Sequence, residues 1–332
     1  MILSRAPTRI TLGGGGTDLK SYYSKKGGFL IAGAINKYCT ILCNRSYSGD
    51  IRASYSQMEI KKEIADIGHP IIRAVLELVC NHNPKGLEIH STADVPESSG
   101  LGTSSSFTVA LLSALHAYSK DFVTQKQLAD EACHIEIDIL GEPIGKQDQY
   151  LAAFGGLTCL TFEKNGDVIV EPLRITSESI DQLENDILLF FTGKQRSASA
   201  ILSVQDNKCK DNDSQMIQNL DQVKEIGLET RKYLERGQIE MLGEILHTHW
   251  EIKKKRSNNM TDPFIDECYE VARKNGAIGG KIVGAGGGGF LMFICNNLDH
   301  DKLRLMTAMD KLGLKRERFH FDFEGAKIMI NT

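Results

Sequence analysis

At 332 residues, with 41% hydrophobic and 25% charged side chains, the chain has the proportions of an ordinary soluble protein of two domains, or of one large one. Its formal charge of -4 excludes a global basic field for nucleic acid or anionic membrane, and no run approaches the roughly 18 apolar residues of a membrane span. The start, MILSRAPTRITLGGGG, carries no signal-peptide pattern, and the eight scattered cysteines sit mostly inside apolar segments without a Cys-x-x-Cys, so a reducing, cytoplasmic setting is expected.

The segments 29–44 and 51–55 read as strands, and 71–80 has helical spacing at Ile72, Val75, Leu76 and Val79. Residues 86–92 alternate like a strand and lead through a Gly/Ser loop into FTVALLSALHAY (107–118), long enough to favour a buried helix. Thr124 with Gln127 forms a capping-box pattern before a helix reaching about Leu140, and 157–163 with 168–173 looks like a hairpin. The polar stretch 174–186 is the plausible domain boundary. After it come a strand at 187–192, helices over 214–236 and 238–257, and a third helix from Pro263 capped by Thr261 or Asp262. The chain ends as strand (281–295), helix (300–312) and two short strands (318–323, 326–331). The run Lys253–Arg256 lies on a helix and reads as its solvated face.

Glycine clusters carry the chemistry. In APTRITLGGGGTD (6–18), four consecutive glycines raise the entropy cost of ordering, so they suit either a flexible turn or backbone that must pass close to a ligand. PESSGLGTSSS (96–106) runs directly into the apolar helix. Its glycines let backbone N–H groups converge where the helix start offers free donors, an anion cradle best suited to phosphate, unless it is a plain Ser-capped helix start. No Lys follows the glycines, so it is not a Walker A loop. The third cluster, 284–289, contains G-x-G-x-x-G, but the FLMFIC after it reads as a strand, so a loop packing against other backbone is expected rather than a dinucleotide site. Glu136 lies at the edge of an apolar helix face, where a charge is costly unless paired or metal-bound, and Asp148 follows a sharp turn at 141–147.

These motifs, in this order, resemble the galactokinase, homoserine kinase, mevalonate kinase and phosphomevalonate kinase (GHMP) superfamily over nearly the whole chain. PESSGLGTS fits the P-x-x-x-G-L-G-[ST]-S motif. APTRITLGGGGTD aligns with the sugar-kinase start A-P-G-R-V-N-L-I-G-E-H-T-D, with Gly15 and Gly16 replacing an acid and a histidine that touch sugar. The G-x-P-x-G-x-x-D-Q turn and the glycine-rich start are similar to those of D-glycero-D-manno-heptose 7-phosphate kinases.

The resemblance implies an α+β chain of two domains: an N-terminal α/β, ribosomal S5 domain 2-like unit over residues 1–178 and a C-terminal ferredoxin-like α+β unit over 179–332. It implies an ATP- and Mg²⁺-dependent kinase that phosphorylates the anomeric hydroxyl of the heptose 7-phosphate, for nucleotide-activated heptose. The alternatives are a kinase for another sugar such as galactose or fucose, or a non-catalytic ligand-sensing relative.

By the same resemblance Asp148 is the base and Arg9 its neighbour, and Pro96, Ser99, Gly100, Leu101, Gly102, Thr103, Ser104 and Ser105 wrap the ATP phosphates. Ser104 and Glu136 hold Mg²⁺, while Gly15, Gly16, Thr17, Asp18, Gly286 and Gly287 meet the sugar. Gly15 and Gly16 open space for an extra carbon and a distal phosphate. Lys194 and Arg196, after the strand ILLFF, either grip that phosphate or form an exposed basic loop. Neither nucleic acid nor membrane is an expected partner; the oligomeric state, a homodimer included, is left open.

Overall fold

The computed structural model describes residues 1–332 except 81–83, 85, 258, 296 and 297. In chain order its first elements are β1 (Ile2–Gly13), α1 (Lys20–Lys26), β2 (Gly28–Arg45), β3 (Ile51–Ser54), β4 (Met58–Lys61), α2 (Pro70–Val79), β5 (Leu87–Ala93), α3 (Thr103–Ser119), α4 (Gln125–Cys133), α5 (Gln147–Phe154), β6 (Leu157–Phe162) and β7 (Val168–Pro172). They continue as α6 (Ser177–Asp186), β8 (Ile187–Phe191), α7 (Ala198–Lys210), α8 (Ser214–Glu235), α9 (Met241–Lys254), α10 (Pro263–Lys274), β9 (Ala277–Ile282), β10 (Phe290–Cys295), α11 (Asp299–Lys311), β11 (Lys315–Glu317) and β12 (Lys327–Asn331).

The first sheet runs β12-β1-β2-β5-β3-β4, with β6 and β7 joined to it through β2. The length of β2 explains the branching: Gly28–Gly33 pairs with β6, and Cys39–Arg45 pairs with β5. Helix α3 packs on β1 and β2. It is apolar almost all round, which suits a helix buried in the middle of a core, and Val109, Ala110, Leu111 and Leu112 are fully buried. Two serines fix it to β1: Ser106 Oγ donates to the Pro7 carbonyl and Ser4 Oγ to the Ala110 carbonyl, each at 2.7 Å.

The second sheet is antiparallel in the order β11-β8-β10-β9. Numbered within that sheet, this is the 4-1-3-2 order of a ferredoxin-like unit, here with four helices between its first two strands. Helix α9 lies on β9, and α8 lies on both α9 and the β1–β2 pair, so two helices join the sheets. Ile10 and Leu12 of β1 accordingly share one buried cluster with Leu242 and Leu246 of α9 and Phe290 and Met292 of β10.

The structure departs from the sequence reading in several places. The polar stretch at 174–186 holds α6, a helix that buries little beyond Leu183 and starts at a Thr176 cap. Residues 281–295 are two strands joined by the third glycine cluster. No strand forms over 318–323; Phe321 makes one isolated bridge to Ile35. Asp262, not Thr261, caps α10, its side chain accepting from Ile265 N–H. Strand β12 crosses back to pair with β1, so a single cut at 178 leaves the end of the chain on the side opposite its sheet.

Candidate active site

A cavity of about 570 Å³ collects residues from both halves of the chain. At its centre Arg9, on β1 and 4% exposed, grips Asp148 with both faces of its fork: Nε to Oδ1 at 2.8 Å and Nη2 to Oδ2 at 2.7 Å. The third arm of the guanidinium, Nη1, donates to the Gly100 carbonyl, and Arg9 N–H donates to the Leu101 carbonyl at 2.9 Å. One strand residue therefore ties the acid to the glycine loop. Asp148 sits in the first turn of α5, where the helix dipole favours a carboxylate.

The loop 98–105 lines one wall. Gly102 in a left-handed conformation starts α3, leaving the first-turn N–H groups of Thr103 to Ser105 free as anion donors. The third glycine cluster explains the loop's position. A Cβ on Gly100 would stand 2.6 Å from the Val283 carbonyl oxygen, and one on Gly284 would stand 2.6 Å from that of Gly100. Both residues have positive φ, so the two backbones meet with no room for side chains.

Glu136, carried by a π-helical turn after α4, is 1% exposed and accepts from four donors: Ser104 Oγ at 3.1 Å, Ser105 Oγ at 2.7 Å, Thr108 Oγ1 at 3.2 Å and Gln149 Nε2 at 2.6 Å. Burial outweighs these bonds and pushes its carboxyl up to about 7. A buried carboxylate with no cationic partner among the described residues, beside a hydroxyl at a helix start with free N–H donors, has the chemistry to hold Mg²⁺. That ion takes few protein ligands and shares phosphate oxygens. No cluster of three or more His, Cys, Asp or Glu suited to a metal occurs among the described residues.

Asp18, 2% exposed, faces the cavity and accepts from the N–H groups of Gly16 and Gln147, each at 3.2 Å. Burial, then the charge of Asp148, raises it to about 6. Its place depends on Gly145, where a Cβ would lie 1.9 Å from Asp18 Oδ2.

The chain matches the profile of the GHMP kinases N terminal domain over residues 70–156 and that of the GHMP kinases C terminal over 230–305. It is 31% identical to the D-glycero-alpha-D-manno-heptose 7-phosphate kinase of Campylobacter jejuni, over 98% of both chains. The chain belongs to the GHMP kinase family. A crystal structure named as a D-glycero-D-manno-heptose 1-phosphate kinase of Bacteriodes thetaiotaomicron is 28% identical, covers 99% of both chains and superposes with a TM-score of 0.83. The Lactococcus lactis galactokinase, at 17% identity and a TM-score of 0.77 over 98% of this chain and 94% of that one, shares the fold.

Of the residues expected in the kinase's site, Arg9, Gly15, Gly16, Asp18, Gly100, Gly102, Thr103, Ser104, Ser105, Glu136 and Asp148 line one cavity. Others hold its walls from behind. Thr17 is fully buried and locks its turn, Oγ1 donating to the Gly14 carbonyl at 2.9 Å and accepting from Phe29 N–H at 3.1 Å. Leu101 is core, Ser99 is fully buried, and the Pro96 carbonyl accepts from Thr103 Oγ1 at 3.3 Å.

Four expected residues stand off the cavity wall. Gly286 and Gly287 pack on Met260 and the Asn259 carbonyl because the glycine loop turns away after Ala285. Lys194 reaches Asp262 at 2.5 Å, Arg196 is 3.9 Å from the same carboxylate, and both are about two-fifths exposed. Nor does Gly16 leave open space: a Cβ there would meet Arg256 Nη1 at 2.7 Å, whereas one on Gly15 would touch only the Thr11 side chain, at 3.2 Å.

The sequence reading missed two groups of lining residues. Tyr55, His69 and Phe107 form an aromatic group, with ring centroids 4.6 and 5.3 Å apart. Nothing in their spacing marks them. His249, Lys253, Arg256 and Lys281 also line it. The expectation that 253–256 is a solvated face holds for Lys255 but not for Lys253 or Arg256, which are buried because α9 turns that face onto β9.

Proposed function

We propose that this kinase transfers the γ-phosphoryl group of ATP to the anomeric hydroxyl of D-glycero-D-manno-heptose 7-phosphate, giving the 1,7-bisphosphate. The observation that carries the reading is the bidentate Arg9–Asp148 pair, set between an anion-binding helix start and a polar wall containing Asp18. The full-length likeness to a heptose 7-phosphate kinase supports this choice of acceptor.

The nucleotide base occupies the aromatic end, against Tyr55, His69 and Phe107, and its phosphates lie over the N–H groups of residues 102–105. Ser104 and Glu136 would hold Mg²⁺, which when bound would neutralise phosphate charge. Asp18 accepts hydrogen bonds from sugar hydroxyls. Asp148 takes the proton of the anomeric hydroxyl as that oxygen bonds to the γ-phosphorus. The bond from phosphorus to the bridging oxygen breaks and ADP leaves with its electron pair. Arg9 offsets the charge that develops. Phosphoryl transfer needs mainly such alignment and neutralisation, and these residues supply both.

Comparing kcat/KM for heptose 7-phosphate, heptose 1-phosphate, unphosphorylated heptose and galactose tests the reading. Heptose 7-phosphate is expected to lead by about 100-fold, since a site built for a charged group rejects ligands that leave it unpaired. Galactose or free heptose as an equal or better acceptor overturns it.

A further inference from the structure

Three cations on the cavity wall have no carboxylate of their own among the described residues. His249 and Lys253 lie one turn apart on α9, Arg256 follows its end, and Lys281 comes from the neighbouring β9. All four are at most 5% exposed, yet all line the cavity. Lys253 Nζ donates to the Ile282 carbonyl at 3.1 Å and to that of Gly284 at 2.5 Å. Lys281 Nζ lies 3.3 Å from His249 Nδ1. Arg256 donates from Nε to Asn219 Oδ1 at 2.9 Å and from Nη1 and Nη2 to the Gly15 carbonyl at 3.3 Å. None of the three forms an ion pair with an acid among the described residues, and Asp148 is already taken by Arg9.

Burying unpaired cations is costly, and a fold keeps such a group where a ligand brings the missing charge. An ammonium has three donors; Lys253 spends two on carbonyls and Lys281 spends one on the histidine.

We propose that Lys253, Lys281 and Arg256, with His249 beside them, form the subsite for the phosphate that the acceptor sugar already carries. This rests on the reading of the chain as a kinase of a sugar phosphate. Position favours the acceptor over the nucleotide. Arg256 is bonded to the turn that follows β1, close to Asp18, whereas Tyr55 follows β3, three strand spacings from β1 in the sheet. That is about 14 Å. Gly16 acquires a reason as well: a side chain there would displace the Arg256 guanidinium from the wall. Burial, with the mutual repulsion of the group, lowers Lys281 to about 7 and pushes Lys253 well below the ordinary lysine range. A bound phosphate dianion reverses that effect.

The test is titration calorimetry on the full chain with heptose 7-phosphate, unphosphorylated heptose and a non-hydrolysable ATP analogue. Wild type should bind the phosphorylated sugar far more tightly than the free sugar. In Lys281→Met that preference should fall about 30-fold or more, with affinity for the free sugar and the analogue within about twofold. Lys253→Met, also one cation fewer at nearly constant shape, should do the same and stands in should the first variant not fold. Loss of analogue affinity in its place assigns the cluster to the nucleotide and overturns the proposal, as does an unchanged preference in both variants. A wild type that prefers the unphosphorylated sugar defeats the kinase-of-a-sugar-phosphate reading, and the subsite with it; a preference kept in both variants defeats the subsite alone.

Discussion

Asp148 and Glu136 are both acids at the cavity, yet their surroundings divide the work. Asp148 is held by a fixed guanidinium beside the glycine loop; Glu136 is sealed among hydroxyls and an amide. Asp148→Asn should bind ATP and sugar almost normally while kcat falls by about 10²–10⁴, the range for removing a general base. Near wild-type turnover in single-turnover kinetics would remove Asp148 from that role.

Glu136 gives a pH signature. Its folded pKa is raised to about 7 from 4.5, so its contribution to stability is complete below the unfolded value and is lost as pH rises through about 7. Glu136→Gln escapes that loss. Without metal, the melting temperature of the variant relative to wild type should climb between about pH 5 and about pH 8, an effect on the order of a few kcal/mol. Added Mg²⁺ should stabilise wild type and not the variant. A difference flat in pH would show that the four donors, not burial, set the charge on Glu136.

At this scale the sequence was informative wherever chemistry is local. Asp148 follows a sharp turn, and the loop 96–106 runs straight into a helix. The cations at 253, 256 and 281 were illegible because a lysine run on a helix gives no sign of which residues face inward. Lys194 and Arg196 stayed ambiguous for the converse reason: two cations after a strand fit a phosphate grip or an exposed basic loop equally until Asp262, distant in sequence, is seen beside them. Arg196→Ala is therefore expected to leave KM for the sugar phosphate within about twofold, as for an exposed partner of a surface carboxylate. A large rise in that KM alone would return Arg196 to the site.

Among the elements, long periodic segments were legible and short ones were not. The helix over 107–118 and the hairpin β6–β7 follow from apolar run length and alternation. Helices α1 and α5, of seven and eight residues, carry too few turns to show a period, and α6, as long as the legible α2, has too few apolar residues to mark one. The glycine loop between β9 and β10 was correctly read as backbone packing against backbone, because a strand rather than a helix follows it. The contact is with the loop at 98–105, so Gly284→Ala, at φ 75° and with the Gly100 carbonyl 2.6 Å from the new methyl, should disturb from a distance the wall proposed for the nucleotide. KM for ATP should rise about tenfold and that for the sugar less, with a strain of roughly 1–3 kcal/mol. Equal KM values for wild type and variant would separate the two loops.

For the whole molecule, the two sheets share a core through α8 and α9, and the cavity opens where β1, α3, α5 and α9 converge. The family resemblance made the α+β, ferredoxin-like architecture legible, but the return of β12 to β1 was not. A short final strand has no local mark that names its partner. The central claim is that this assembly phosphorylates C1 of a heptose that already bears a 7-phosphate. The most direct measurement is NMR of the product made from ATP and heptose 7-phosphate. The expected spectrum has a second phosphorus signal coupled to the anomeric proton, with the 7-phosphate retained. A product phosphorylated at any other oxygen, or no product while free heptose or galactose reacts, would contradict it.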